Sequence, residues 1–286
     1  GSSAKAILYA FLANFGIAVT KSGAAIYTNS GSMLAEAIHS FADCANQVLL
    51  YVGLKQADNP PTPAHPLGYG KVTYFWSFVV ALLLFSVGGL FSIYEGWHKL
   101  HEPEELKQAW IALSVLGVSI VLESFSLLGC LKEIAKLRRG RPFREWLVHT
   151  RNAELVVVLG EDVAALAGLV IAFAVVGAAA YTGDTRLDAM GSIFIGVVLI
   201  IVAAFIVVRI RTLLIGKSAE PMLREQIDAL INQDPDIETL LNTITLQFGP
   251  KVVLAAKVKM RSGLTIDEAV ERLNALERNI KQAFPE

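Results

Sequence analysis

The chain has 286 residues, of which 54% are hydrophobic and 18% charged, and its mean hydropathy is +0.51. Soluble domains carry about a quarter charged residues, so the surplus apolar surface calls for lipid, and disordered, collagenous and disulfide-scaffold architectures are excluded. With 25 Lys and Arg against 26 Asp and Glu the formal net charge is -1, which points neither to nucleic acid nor to a polybasic surface anchor.

The opening Gly1-Ser2-Ser3 reads as a cleavage scar, and residues 1–4 as a short tail, with no sign of a signal sequence. A membrane span needs about 20 mostly apolar residues, and six stretches qualify, roughly 5–27, 32–55, 72–98, 108–131, 147–178 and 188–213. Their connections are short, so 5–216 is expected to form one six-helix transmembrane bundle of the all-α membrane class. Thr28-Asn29-Ser30-Gly31 and Tyr181-Thr182-Gly183-Asp184-Thr185-Arg186 are turn-forming runs. Cys44 and Cys130 fall inside apolar stretches, form no CxxC pair and read as small buried residues.

Lys and Arg beside the spans set the orientation. Lys132, Lys136, Arg138, Arg139, Arg141, Arg144 and Arg151 lie between the fourth and fifth spans, and Arg209, Arg211 and Lys217 follow the sixth. The opposite loops hold only Lys99 and Lys107, beside Glu102, Glu104 and Glu105, and Arg186. Both termini are therefore expected in the cytoplasm of a multi-pass protein, with a bacterial inner membrane as the expected setting.

From Lys217 the composition turns charged and the apolar positions periodic, so 217–286 reads as a small cytoplasmic α+β domain. Pro221 suits the first turn of a helix reaching to about Asn232. Thr243–Phe248 and Val252–Met260 alternate as strands around a Gly249-Pro250 turn. Thr265-x-x-Glu268 is a capping box opening a helix to about Ala283. The order helix, strand, strand, helix is similar to part of a ferredoxin-like sandwich, and with the sequence stopping at Glu286 just past that helix a final strand is expected to be lacking. A domain this short is marginal alone, and dimerisation would help it.

Ionisable groups at mid-membrane cost several kcal/mol each and mark function by default. The second span holds Glu36, His39 and Asp43, of which the last two lie four apart on one helical face. The fifth holds Glu161 and Asp162, whose side chains diverge by about 100° around the helix. Counted from the cytoplasmic ends at about 1.5 Å per residue, Asp43 lies roughly 18 Å deep and Asp162 roughly 22 Å deep. An imidazole and two carboxylates at one level suit a divalent transition ion, Zn²⁺ above all. Lys21 reaches the level of Glu36 and His39, which admits a buried ion pair with Glu36 or Glu161. One cation cannot balance so much acid, so His39, Asp43 and Asp162 together favour a metal. Glu161 and Glu36 remain open between ligand, proton carrier and ion-pair partner, and Glu123 between path lining, proton acceptance and a helix-to-helix hydrogen bond. Asn14, Asn46 and Gln47 suit either a wet vestibule or bonds between helices. Glu95, His98 and His101 approach the outer interface, where solvated roles fit best.

Gly31-Ser-Met-Leu-Ala-Glu-Ala-Ile-His-Ser-Phe-Ala-Asp43, His65-Pro-Leu-Gly-Tyr-Gly-Lys71 and Glu161-Asp162 resemble the motifs of the cation diffusion facilitator family over nearly the whole chain. The form of the second-span motif looks most like the branch that includes the mitochondrial zinc transporter. The resemblance implies a homodimeric exporter that moves Zn²⁺ or a related divalent ion out of the cytoplasm in exchange for protons. It carries the family's transport ligands onto His39, Asp43 and Asp162. Val158 departs from the pattern, because many zinc-transporting relatives have histidine there, and either Glu161 or a water then fills the fourth position. In the loop where relatives hold zinc through several His and Asp residues only His65 remains, with Tyr69 in place of a second histidine, so a loop site is expected absent or weak. From Lys217 onward there is no His and no Cys, and a dimerisation role is expected there in place of metal sensing.

The expected activity is thus a secondary antiporter working by alternating access, with Zn²⁺ as cargo and Mn²⁺, Fe²⁺, Co²⁺ and Cd²⁺ as the other candidate ions. Its partners would be protons, the lipid bilayer and a second copy of the chain. Mn²⁺ or Fe²⁺ export is the alternative favoured by Val158 and the oxygen-rich Glu161-Asp162 pair. A channel or non-transporting receptor is the alternative from another class. An intramembrane hydrolase finds no HExxH and no nucleophile motif.

Overall fold

The computed structural model describes residues 2–102, 105–138 and 140–285, with side chains from Asn14 onward. Gly1, Glu104 and Arg139 lie outside the described residues. In chain order the elements are α1 (Ser2–Thr28), α2 (Gly31–Ala57), α3 (Val72–Leu83), a π-helical segment (Leu84–Leu90), α4 (Phe91–His101) and α5 (Ala109–Leu137). They continue with α6 (Phe143–His149), α7 (Ala153–Thr182), α8 (Arg186–Ile215), α9 (Pro221–Gln233), β1 (Ile237–Phe248), β2 (Lys251–Met260) and α10 (Ile266–Ala283). Residues 2–4 are helical where a tail was expected.

Four helical stretches among the described residues are long and apolar enough to cross a membrane: Val72–His101, Ala109–Leu137, Ala153–Thr182 and Arg186–Ile215. The first runs through α3, the π-helical segment and α4 without a break. Both α1 and α2 have 27 residues, a length of about 40 Å, but they are not among the four. In α2 the buried positions include Ser32, Glu36, His39, Ser40 and Asn46, a polar content that lowers its hydropathy. The bundle core joins Met33, Tyr74, Leu84, Leu116, Leu169 and Ile195 from five different helical stretches.

The fifth predicted span is corrected at its start. Apolar residues continue from Leu147, yet the helix stops at His149, because the Asn152 side chain accepts the Leu155 N–H and starts α7 afresh at Ala153. Asparagine at such a position competes with helix continuation by bonding the backbone itself. Asp162 therefore lies about 14 Å from the helix start and not 22 Å.

At the end remote from the C-terminal domain, α2 is held to α8. Asp188 accepts Ser30 Oγ at 2.8 Å and the backbone N–H groups of Gly31 at 2.5 Å and Ser32 at 3.3 Å. Ser32 Oγ donates to the Asp188 carbonyl at 2.8 Å. An aspartate at these otherwise orphaned N–H groups satisfies the start of α2 and favours its dipole.

The C-terminal region packs α9 and α10 beside an antiparallel β1–β2 hairpin, with Ile227, Ile231, Ile237 and Leu276 at its centre. Pro221 occupies the first turn of α9, and the Thr265–Glu268 capping box opens α10 as expected. β1 begins at Ile237 and not at Thr243. Register irregularities between Ile237 and Thr239 and between Leu240 and Asn242 break the alternation that sequence periodicity relies on. The sheet has two strands among the described residues.

The hairpin turn docks on the membrane helices through the His65–Lys71 motif. Gly70 and Gly249 meet backbone to backbone, with no room for a Cβ on either. The Tyr74 hydroxyl donates to the Gly249 carbonyl at 3.2 Å and accepts its N–H at 3.0 Å, while Lys71 Nζ lies 5.8 Å from the Phe248 ring centre. Arg151 donates to the carbonyls of Ser218 at 2.7 Å and Ala219 at 3.3 Å, and Arg141 pairs with Glu220 at 3.1 Å. Burial draws the Arg151 guanidinium below its ordinary pKa, with Glu220 opposing the shift and Arg209 adding to it.

Candidate metal site

Polar residues of α1, α2, α5 and α7 converge on a cavity of about 180 Å³ inside the bundle, large enough for several waters. Asn14 and Lys21 enter from α1, Ser40, Asp43 and Gln47 from α2, Ser119, Glu123 and Ser126 from α5, and Val158, Glu161 and Asp162 from α7. Asp43, Gln47 and Leu50 recur every three to four residues and so share one face of α2. The same spacing joins Val158, Glu161 and Asp162 on α7.

Two of the carboxylates carry buried oxygens with no partner: Oδ1 of Asp43 and Oδ2 of Asp162. The second oxygen of Asp162 accepts Ser126 Oγ at 3.3 Å. His39 is fully buried, its Nε2 lies 3.5 Å from Asp43 Oδ2, and neither ring nitrogen finds a hydrogen-bond partner. It stands behind Asp43 and is not among the cavity residues. Glu161 Oε1 accepts Asn46 Nδ2 at 2.5 Å, a bond between α2 and α7.

Lys21 pairs with Glu36 and not with Glu161. Its Nζ lies 3.3 Å from Glu36 Oε2 and donates to Ser40 Oγ at 2.8 Å. Glu36 is fully buried, and its other oxygen packs where a side chain on Gly168 would stand. His65 lies apart from all of these, its ring 4.6 Å from that of Tyr69.

Asp43, Asp162 and Glu161 are thus gathered around one space, with His39 at its edge. No three His, Cys, Asp or Glu side chains among the described residues are close enough to hold a metal ion. These side chains line a cavity and do not close into a coordination shell. Sequence reasoning missed Ser40 and Ser126, because a serine inside an apolar helix carries no signal until its neighbour across the bundle is known. Asn46 was left between two roles, and its bond to Glu161 decides for the contact between helices.

A family model described as Cation efflux transmembrane domain matches residues 7–215. A frog relative, "Proton-coupled zinc antiporter SLC30A9, mitochondrial" from Xenopus laevis, is 32% identical over 255 residues, covering 88% of this chain and 45% of that protein. The Homo sapiens protein of the same name is 30% identical over 255 residues, covering 88% of this chain and 44% of that protein. "Metal tolerance protein C4" from Arabidopsis thaliana is 32% identical over 250 residues, with 87% and 55% covered. The chain spans about half the length of these curated relatives. Matched from the first long helix to the last, the chain belongs to the cation efflux family.

Proposed function

We propose that the protein is a transporter, not an enzyme, which exchanges Zn²⁺ from the cytoplasm for protons by alternating access around the cavity. The observation that carries this reading is the pair of unpartnered buried oxygens, on Asp43 and Asp162, in one cavity. Buried polar atoms are ordinarily hydrogen-bonded, and a mobile cation satisfies these two without a permanent partner. The printed names of the relatives, a proton-coupled zinc antiporter and a metal tolerance protein, support the same reading. Six spans, cytoplasmic termini, a bacterial inner membrane and a homodimer joined through the C-terminal domain complete it.

The chemistry couples the two ions. A divalent cation holds Asp43 and Asp162 ionised side by side, and once it leaves, like charges face one another until protons neutralise them. His39 lies behind Asp43, its Nε2 3.5 Å from Asp43 Oδ2. Lys21 is already engaged by Glu36 and Ser40, so it does not take the metal's place.

One observation favours a second cation. The cavity's carboxylate and hydroxyl donors are oxygens, with the His39 imidazole behind Asp43, and an oxygen-rich site suits Mn²⁺ or Fe²⁺. Uptake of Zn²⁺ and of Mn²⁺ into proteoliposomes under an imposed pH gradient separates these, with metal and lumenal pH read together. The expected result is zinc flux matched by proton counterflow. Manganese flux alone would move the cargo assignment, and metal flux without proton movement would make the protein a channel.

A further inference from the structure

With the cavity read as the cargo site, one donor is missing. Val158, one turn before Asp162, lines the cavity with an isopropyl group, and Glu161 Oε1 is held by Asn46. The remaining wall is α5, a helix whose outer face is apolar, with Val118, Val121 and Phe125 at 62%, 54% and 69% exposure. Its opposite stripe, Ser119, Glu123 and Ser126, faces the cavity. A carboxylate at this depth costs several kcal/mol unless something compensates it. Among the described residues no hydrogen bond or ion pair reaches Glu123, although Ser119 and Ser126 flank it on the same face.

We propose that Glu123 is a direct ligand of the transported divalent cation, giving from α5 the donor that Val158 does not give from α7. The proposal rests on the cavity being the cargo site. Ser126 fixes the geometry, because it donates to Asp162 Oδ1 at 3.3 Å and lies three residues after Glu123. Positions three apart on a helix are neighbours, with Cβ atoms about 5–6 Å apart. The Glu123 side chain therefore starts close to Asp162, whose Oδ2 is buried without a partner while the residue is only 8% exposed. Glu123 and Asp162 approach the ion from α5 and α7, and Asp43 approaches from α2. As they stand, no three acidic or imidazole side chains among the described residues are close enough to hold an ion, so the cation itself draws the three carboxylates together, and the resulting oxygen set tilts selectivity toward harder divalent ions. The Lys21 ammonium lines the same cavity and offsets part of this acid.

The test is titration of Zn²⁺ alone and Mn²⁺ alone into the purified full chain in detergent, followed by calorimetry, for four proteins beside the wild type. Glu123→Gln keeps the shape of the side chain and is expected to weaken Zn²⁺ binding at least about 10-fold, the lower end of what even outer-shell changes cost a metal site. Adding Val158→His to Glu123→Gln is expected to restore zinc but not manganese affinity, since imidazole suits zinc. Val158→His alone is expected to raise the preference for zinc over manganese. Asp162→Ala tests the cavity itself. Binding lost in Asp162→Ala but unchanged in Glu123→Gln would overturn the Glu123 assignment and leave the cavity as cargo site. Binding unchanged in both would overturn the cavity reading. Weakening in Glu123→Gln that Val158→His does not restore would make Glu123 a structural neighbour of Asp162, and would overturn its role as a ligand.

Discussion

Lys21→Met is expected to destabilise the protein by about 3–5 kcal/mol, the cost of stranding a buried charge when its partner is removed. The Lys21 and Glu36 side chains are 4% and 0% exposed, with 3.3 Å between Nζ and Oε2. Glu36 is packed against Gly168 of α7, where even a methyl group would collide with its unpartnered oxygen. Methionine matches the lysine stem in length and apolar volume, which confines the change to charge and hydrogen bonding. Thermal unfolding in detergent is expected to fall by roughly 10 °C, at a few degrees per kcal/mol for a chain of this size. Adding Glu36→Gln removes the stranded charge, and the double variant is expected to recover most of the loss, as neutral replacement of a buried pair often does. A single variant as stable as the wild type would contradict the account, and so would a double variant no better than the single one.

Asp43→Ala is expected to have the opposite profile, with the fold kept and transport lost. Asp43 faces the cavity with a side chain 24% exposed, its Oδ1 has no partner, and His39 Nε2 lies 3.5 Å from its Oδ2 without a hydrogen bond. Removing it strands no buried group. A direct ligand is expected to matter more than an outer-shell group, whose loss costs about 10–100-fold, so zinc flux should fall by at least about 100-fold. Ser126→Ala, which only releases one oxygen of Asp162, is expected to cost about 10-fold. Flux assays on liposomes of equal protein content, with the melting temperature as a control, check both. Normal zinc flux in Asp43→Ala would remove the site.

The charged residues of the site were readable from the chain because charge inside an apolar span is rare and expensive. His39 and Asp43 share a face by their spacing alone, and the Lys21–Glu36 pair was one of two partners foreseen. What the chain did not disclose is lateral. Nothing in the spacing says that α5 turns Ser119, Glu123 and Ser126 inward or that Ser126 meets Asp162, since these depend on how helices distant in sequence rotate about their axes. The same holds for Asp188, whose bonds to Ser30 and Gly31 join residues more than 150 positions apart. Local chemistry also overrode periodicity at two boundaries. Asn152 started α7 later than its apolar run suggested, and irregular pairing hid the first half of β1. The His65–Lys71 motif carries the family resemblance in the sequence, with a loop metal site expected absent or weak, but nothing in it foretells that its Gly70 and the nearby Tyr74 seat the C-terminal hairpin on the bundle.

The most direct test of the central claim, that cargo binds between α2, α5 and α7, is a zinc-edge anomalous diffraction map of the full chain crystallised with Zn²⁺. The account requires the strongest membrane-embedded peak to lie in the cavity, within bonding distance of Asp43 and Asp162. A map at saturating zinc with no peak in that cavity, and with the metal placed elsewhere in the bundle, would contradict it.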